Sequence, residues 1–346
     1  VDDGETRDER SVETVDDGET RDERSVETTE GGTSVTGEEV EGRVGPPVSV
    51  SGNTADAVPG GSAAGLPGAN GRGRRQPTLG LALSCGTARA VAHVGVIKAL
   101  AEAGIRIDCV AGSSGGSVAA VLLAAGKTIE ELEQLALDLR WKDLAAMTLP
   151  RLGFLSSQRI GQFIEDSVGD IVFSDLRMPC AVVATNLASG ARRVFASGRV
   201  SQAVRASCSI PQIFSPCEID GELYIDGGIV EYLPVETVRL FRPRVVLAVN
   251  LGAKRERVRR PRHILQLIMQ ITTVVSRQNV ERSESMADLV VRPDMSAYHP
   301  FTLERAEEML RIGYDEMRRH LPELQTVLRR ESTLFGRLTR RLTARL

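Results

Sequence analysis

Residues 107–125 read IDCVAGSSGGSVAAVLLAA, and this stretch decides the fold. Ile107–Ala111 is a short apolar run of the kind a buried strand needs. Gly112–Gly116 is a turn of small residues, and Ser117–Ala125 is a very apolar helix that stops at Gly126. Gly112-Ser113-Ser114-Gly115-Gly116 fits G-x-S-x-G between a strand and a helix. In that setting Gly112 and Gly116 let the chain turn sharply and lift the Ser114 hydroxyl above a sheet. The helix that follows aims its first N–H groups at the same point and favours negative charge there. A Gly/Ser-rich βα turn or a phosphate-binding loop has the same composition, so only the strand–turn–helix context makes Ser114 a candidate nucleophile.

Strands and helices alternate on either side. Leu79–Leu83, Cys180–Thr185, Arg193–Ala196, Leu223–Ile225, Arg244–Leu251 and Leu289–Arg292 read as strands, and 89–103, 128–139, 157–167, 199–206, 234–240, 262–286 and 303–319 as helices. The alternation predicts an α/β fold of three layers, α/β/α, with a mostly parallel central sheet, in one domain over residues 78–321. Residues 1–14, VDDGETRDERSVET, recur letter for letter at 15–28. Each copy holds six acids and two arginines, so the pair carries −8 of a net charge of −3 and the rest of the chain carries +5. With almost nothing apolar to bury, the repeat is expected to be disordered, and the Gly/Ser/Pro-rich run to Pro77 reads as a linker.

The 346 residues, 42% hydrophobic and 26% charged, have the balance of an ordinary globular protein. No apolar run approaches the ~18–20 residues of a membrane span, and no basic-then-apolar leader opens the chain. Five cysteines, odd in number and without C-x-x-C spacing, argue against a disulfide scaffold or a structural zinc site and for a reducing, cytoplasmic setting.

A serine nucleophile needs a base. Asp226, in Leu223-Tyr224-Ile225-Asp226-Gly227-Gly228, ends a short strand, and two glycines leave its carboxylate accessible. A plain Asp-Gly turn reads the same way. Ala125-Gly126-Lys127-Thr128 is not a P-loop, because Val121 stands where the first glycine must fall. A Ser–Asp–His arrangement would need a histidine after the acid; His263 qualifies by order but sits among Arg259, Arg260 and Arg262 as a solvated basic residue would.

Taken together, LGLALSCGTARAVAHVGVIKALAEAGI (79–105), AGSSGGS (111–117), ATNLASG (184–190), AVRASCSIPQIFSP (203–216) and YIDGGIVEYLPV (224–235) resemble the patatin-like phospholipases. The bacterial branch related to neuropathy target esterase is the nearest, and ADLVVRPDM (287–295) and RAEEMLRIGYDEM (305–317) are similar to it too. The resemblance implies a patatin-type sandwich and a Ser–Asp dyad. Ser114 would be the nucleophile and Asp226 the base, acting on lipid carboxylic esters of the phospholipid or lysophospholipid kind through an acyl-enzyme. No metal or organic cofactor is implied.

The chain departs from the family pattern at the oxyanion loop. Where a glycine run is expected it reads Ser84-Cys85-Gly86-Thr87-Ala88-Arg89-Ala90, keeping only Gly86 and the basic Arg89, with side chains at 85, 87 and 90. Gly86, Thr87 and Arg89 mark that loop. A compromised hole leaves a second reading open, a patatin-fold protein that binds lipid or a partner with little or no turnover. His93, on the next helix, and Cys85 are expected to serve structure. Asn186 and Glu231-Tyr232 also differ from the family, away from the dyad.

Residues 322–346 are read as a basic C-terminal helix. From Arg329 to Leu346 there are six arginines and one acid, with Leu334, Leu338, Leu342 and Leu346 at i, i+4 spacing. Such a helix suits the anionic inner face of a membrane, or packs its leucines on the domain. No recognition motif accompanies the charge, so nucleic acid is not an expected partner. Residues 140–161, with the only tryptophan, read either as a cover that receives acyl chains or as a core connection.

Overall fold

In the computed structural model, residues 78–144, 146–147, 155–252, 261 and 264–332 are described. The strands are β1 (Leu79–Leu83), β2 (Cys109–Ser113), β3 (Ala146–Met147), β4 (Leu155–Ser156), β5 (Cys180–Asn186), β6 (Arg192–Phe195), β7 (Cys217–Ile219), β8 (Glu222–Asp226), β9 (Val245–Val249) and β10 (Leu289–Val291). The helices are α1 (Val91–Glu102), α2 (Gly115–Ala125), α3 (Ile129–Asp138), α4 (Trp141–Leu144), α5 (Gln158–Val168), α6 (Val200–Ser207), α7 (Val235–Arg239), α8 (Ile264–Ser285) and α9 (Ala306–Ser332).

The main sheet runs β10-β9-β1-β2-β5-β8-β7, with β6 also on β5. From β10 to β5 every pairing is parallel; β6, β8 and β7 add antiparallel pairings. Both faces are covered. Leu79, Leu81 and Leu83 enter the larger core, which takes in buried residues of α1, α2 and α9, while Ala82 enters a smaller one with Val235 and Val238 of α7. The central strands β1, β2 and β9 are wholly buried, which explains why their sequences are continuous apolar runs and do not alternate. The expected three-layer α/β/α architecture is therefore observed.

The pairing of β5 sets the geometry of the site. Val182 and Val183 pair with β2 and β6 at once, and Ala184 and Thr185 with β6 and β8 at once. A strand has two edges, so β2 and β8 share the edge opposite β6 and meet there end to end. Ser113 lies opposite Val183 and Asp226 opposite Ala184, the next residue along.

Two details differ from the sequence reading. The strand before Ser114 runs two residues further than expected and the helix begins two earlier, so the turn narrows to one residue. The division at 321/322 falls inside α9, which continues through Pro322 to Ser332. That helix lies close along α1: a Cβ at Gly95 would collide with the Leu310 carbonyl oxygen, and one at Gly313 with that of Ala92. Leu334, Leu338, Leu342 and Leu346 fall outside the described residues. No helix among those described is long and apolar enough to cross a membrane.

Candidate active site

Ser114 is the single residue between β2 and α2, held at φ 51°, ψ −129°. Backbone in that region is strained for any side chain, and the surroundings must enforce it. Gly112 and Gly116 do so by absence. A Cβ on Gly112 would strike the Gly116 carbonyl oxygen, and one on Gly116 would strike the carbonyl oxygens of Leu83 and Ser84. The Ser114 N–H donates to Ser207 Oγ at 2.8 Å, and its carbonyl accepts from Ser117 N and Oγ at 2.8 and 2.6 Å.

Ser114 Oγ donates to Asp226 Oδ2 at 2.5 Å. The other carboxylate oxygen accepts from Gly228 N at 2.8 Å and, at the long distance of 3.9 Å, from Cys85 Sγ. The Asp226 backbone is fixed too: its N–H donates to the Ser209 carbonyl and its carbonyl accepts from Thr185 Oγ1. Both residues are buried, Ser114 at 3% exposure and Asp226 at 6%. Burial pushes the Asp226 carboxyl up to about 6, against the lowering effect of hydrogen bonds from Ser114, Gly228 and Cys85. A carboxylate in that range is a usable base near neutral pH.

The loop Ser84–Ala90 runs beside the serine. Gly86 has φ −167°, which any residue adopts, and it is Thr87 that sits in the left-handed region, at φ 51°. A threonine there costs on the order of 1–3 kcal/mol. The Thr87 N–H finds no acceptor among the described residues, nor does that of Gly115, the first residue after the serine. The two lie together, since a Cβ on Gly115 would stand 3.2 Å from Thr87 N. Arg89 turns away from the serine and anchors the loop, with Nε and Nη2 donating to the Tyr298 carbonyl at 2.8 and 2.6 Å.

His93 braces the loop from behind. Its Nε2 lies 2.9 Å from the Ser84 carbonyl, and burial lowers its pKa to about 4, so the neutral ring donates there. The Cys85 thiol is buried, and burial first, then the nearby Asp226 charge, raise its pKa well above the usual value. It donates to Ser113 Oγ at 3.4 Å. Glu231 is buried and paired with Arg192 at 3.0 Å, while Asn186 Oδ1 accepts from Ala188 N and Ser189 N to cap a turn. No histidine among the described residues bonds to Ser114 or Asp226; His263 lies outside them.

Ser114 opens into an apolar channel of about 810 Å³, counting the part open to solvent. Val118, Ala119 and Leu122 of α2 line it, with Leu132 and Ala136 of α3, Ile160 and Phe163 of α5, and Phe214. Trp141 and Leu144 close part of it, and Trp141 Nε1 donates to the Phe301 carbonyl at 2.6 Å. The sequence did not reveal Ser207, Ser209 or Thr185 as supports of the site. They stand in or beside blocks quoted above, but no local pattern says which hydroxyl meets which backbone atom.

Residues 81–239 match the family described as Patatin-like phospholipase. An uncharacterized NTE family protein of Mycobacterium tuberculosis is 37% identical over 184 residues, 52% of this chain and 51% of that one. Lysophospholipase nte1 of Neosartorya fischeri is 25% identical over 279 residues, covering 72% of this chain and 18% of that one. Among solved structures, VipD from Legionella pneumophila aligns with TM-score 0.48 at 14% identity, over 74% of this chain and 67% of that one. The match thus spans about half the length of the mycobacterial relative and less than a fifth of the fungal one.

Proposed function

We propose that this protein, whose residues 81–239 match the patatin-like phospholipase family, is a serine hydrolase of lipid carboxylic esters, of the phospholipase A or lysophospholipase kind. The observation that carries the reading is the 2.5 Å bond from Ser114 Oγ to a buried carboxylate with raised pKa, at the end of an apolar channel. Asp226 takes the Ser114 proton as Oγ attacks the ester carbonyl carbon, and the N–H groups of Gly115 and Thr87 face the oxygen that becomes negative. Collapse breaks the ester C–O bond, the alcohol leaves with the proton from Asp226, and the acyl group stays on Ser114. Water, deprotonated by Asp226, then attacks the acyl carbon; the bond to Ser114 Oγ breaks, Oγ takes the proton back from Asp226, and the fatty acid leaves. The channel holds the acyl chain meanwhile.

The test is reaction of the purified protein with a fluorophosphonate, which phosphonylates an activated serine. The expected adduct lies on Ser114, is absent from Ser114→Ala, and forms roughly 10²–10⁴ times more slowly in Asp226→Asn. A folded wild type that takes no adduct would overturn the hydrolase reading. The strain at Thr87 favours one other reading, a lipid-binding protein of the same fold, and that outcome would select it.

A further inference from the structure

Between β10 and α9 the chain includes an irregular strap, residues 298–303, whose backbone carbonyls serve two different parts of the site. On one side the Tyr298 carbonyl accepts from Nε and Nη2 of Arg89 at 2.8 and 2.6 Å, and the Pro300 carbonyl accepts from Ala88 N at 2.9 Å. On the other side the Phe301 carbonyl accepts from Trp141 Nε1 at 2.6 Å, and the two rings stand 5.5 Å apart. Leu303 is buried and lines the channel, as do Trp141 and, from the loop beside the serine, Thr87 and Ala88. The strap thus holds the 84–90 loop and the channel wall at once.

Its anchors fall where the loop needs them. A threonine at positive φ persists only when its surroundings over-determine it. The two residues after Thr87 are both tied to the strap, Ala88 by its backbone N–H and Arg89 by a buried guanidinium. A charged donor makes roughly twice as strong a bond as a neutral one. The strap keeps its own shape through a turn, in which Thr302 N donates to the His299 carbonyl at 3.0 Å.

We infer that the strap links the acyl chain to the 84–90 loop. A chain long enough to pack against Trp141 and Leu303 fixes the strap, and through Tyr298 and Pro300 the strap aims the Thr87 N–H. Arg89 and Trp141 are then positioning residues, and for that chemistry the link rests on the hydrolase reading above. Its substrates are esters whose acyl chain reaches Trp141, and the preference for them is expressed in kcat. A channel that only buried the chain would hold ground state and transition state alike, and its preference would lie in KM alone.

Hydrolysis of p-nitrophenyl butyrate and p-nitrophenyl dodecanoate by the full chain tests this. The kcat for the dodecanoate is expected to exceed that for the butyrate at least about tenfold. Trp141→Phe keeps a ring beside Phe301 and loses the donor to its carbonyl, so that advantage should shrink at least about fivefold, with KM for the dodecanoate within about twofold of wild type. Arg89→Lys keeps the charge and loses the two-donor reach, and it should lower kcat for both esters, by up to ~10²-fold. Amide hydrogen exchange in Ser114→Ala, with the same esters as uncleaved ligands, reads the link without turnover. The dodecanoate should slow exchange over residues 84–90 and the butyrate should not. Adding Trp141→Phe should abolish the slowing while equilibrium dialysis still shows the dodecanoate bound. The link is overturned by a kcat advantage that Trp141→Phe leaves intact, by a preference confined to KM, or by exchange over 84–90 that the dodecanoate does not change. A wild type that cleaves neither ester while its exchange still responds would overturn the hydrolase reading alone, with the link from chain to loop upheld.

Discussion

The carboxyl of Asp226 and the imidazole of His93 are both buried, and their titrations oppose each other. The raised Asp226 pKa means the folded chain holds a proton that the unfolded chain has lost between pH ~4 and 6. Its contribution to stability therefore falls by roughly 3 kcal/mol as pH rises through that window. The lowered His93 pKa works the other way, and stability falls by roughly 3 kcal/mol as pH drops from about 6.5 to 4. Asp226→Asn removes the first effect. By urea unfolding it should be some 2–3 kcal/mol more stable than wild type at pH 7, with the gain gone by pH 4. A pH-independent difference would show that the carboxylate is not desolvated. Activity should fall below pH ~6 as the proposed base is protonated. Thr87 offers a second check, since Thr87→Gly relieves a positive φ. A stability gain of about 1 kcal/mol is expected if the strain is local, and a loss would mean the side chain packs usefully.

The crossing of α1 and α9 is as tight as backbone allows, because Gly95 and Gly313 each face a carbonyl of the other helix. Gly313→Ala should therefore cost at least ~1–3 kcal/mol by overpacking. It should also slow fluorophosphonate labelling, since α1 leads directly out of the oxyanion loop; normal labelling with lowered stability would separate the two effects. Elements of this kind were legible in the sequence to different degrees. The buried strands β1, β2, β5 and β9 announce themselves as apolar runs, and α2 by its small-residue start. The short β7 and the β3–β4 pair were missed, because two or three residues carry no periodicity. Thr87 shows the limit at the site. The sequence shows a loop short of glycines, but only the folded loop shows that Thr87 takes the positive φ.

Over the whole molecule, the channel and the sheet seam assemble the proposed site from distant parts of the chain. Leu122 lies seven residues beyond Gly115 on α2, about 10 Å along the helix axis. Leu122→Trp should thus obstruct the far part of the channel and leave the near part open. Hydrolysis of long-chain esters is expected to drop at least tenfold with short-chain esters unaffected, the loss following from methylenes that can no longer be buried at ~0.8 kcal/mol each. Equal loss on both would place the acyl chain elsewhere. The channel was beyond the sequence because α2, α3 and α5 and the 210–214 turn supply it jointly, from positions that each read as ordinary core. The meeting of Ser113 and Asp226 on adjacent positions of β5 has a consequence for the life of the polypeptide. The serine is made 112 residues before its partner, and no local contact can substitute for the pairing of β8. A nascent chain that has just completed the elbow lacks the carboxylate of the proposed dyad, which arrives only when the last strand of that edge closes.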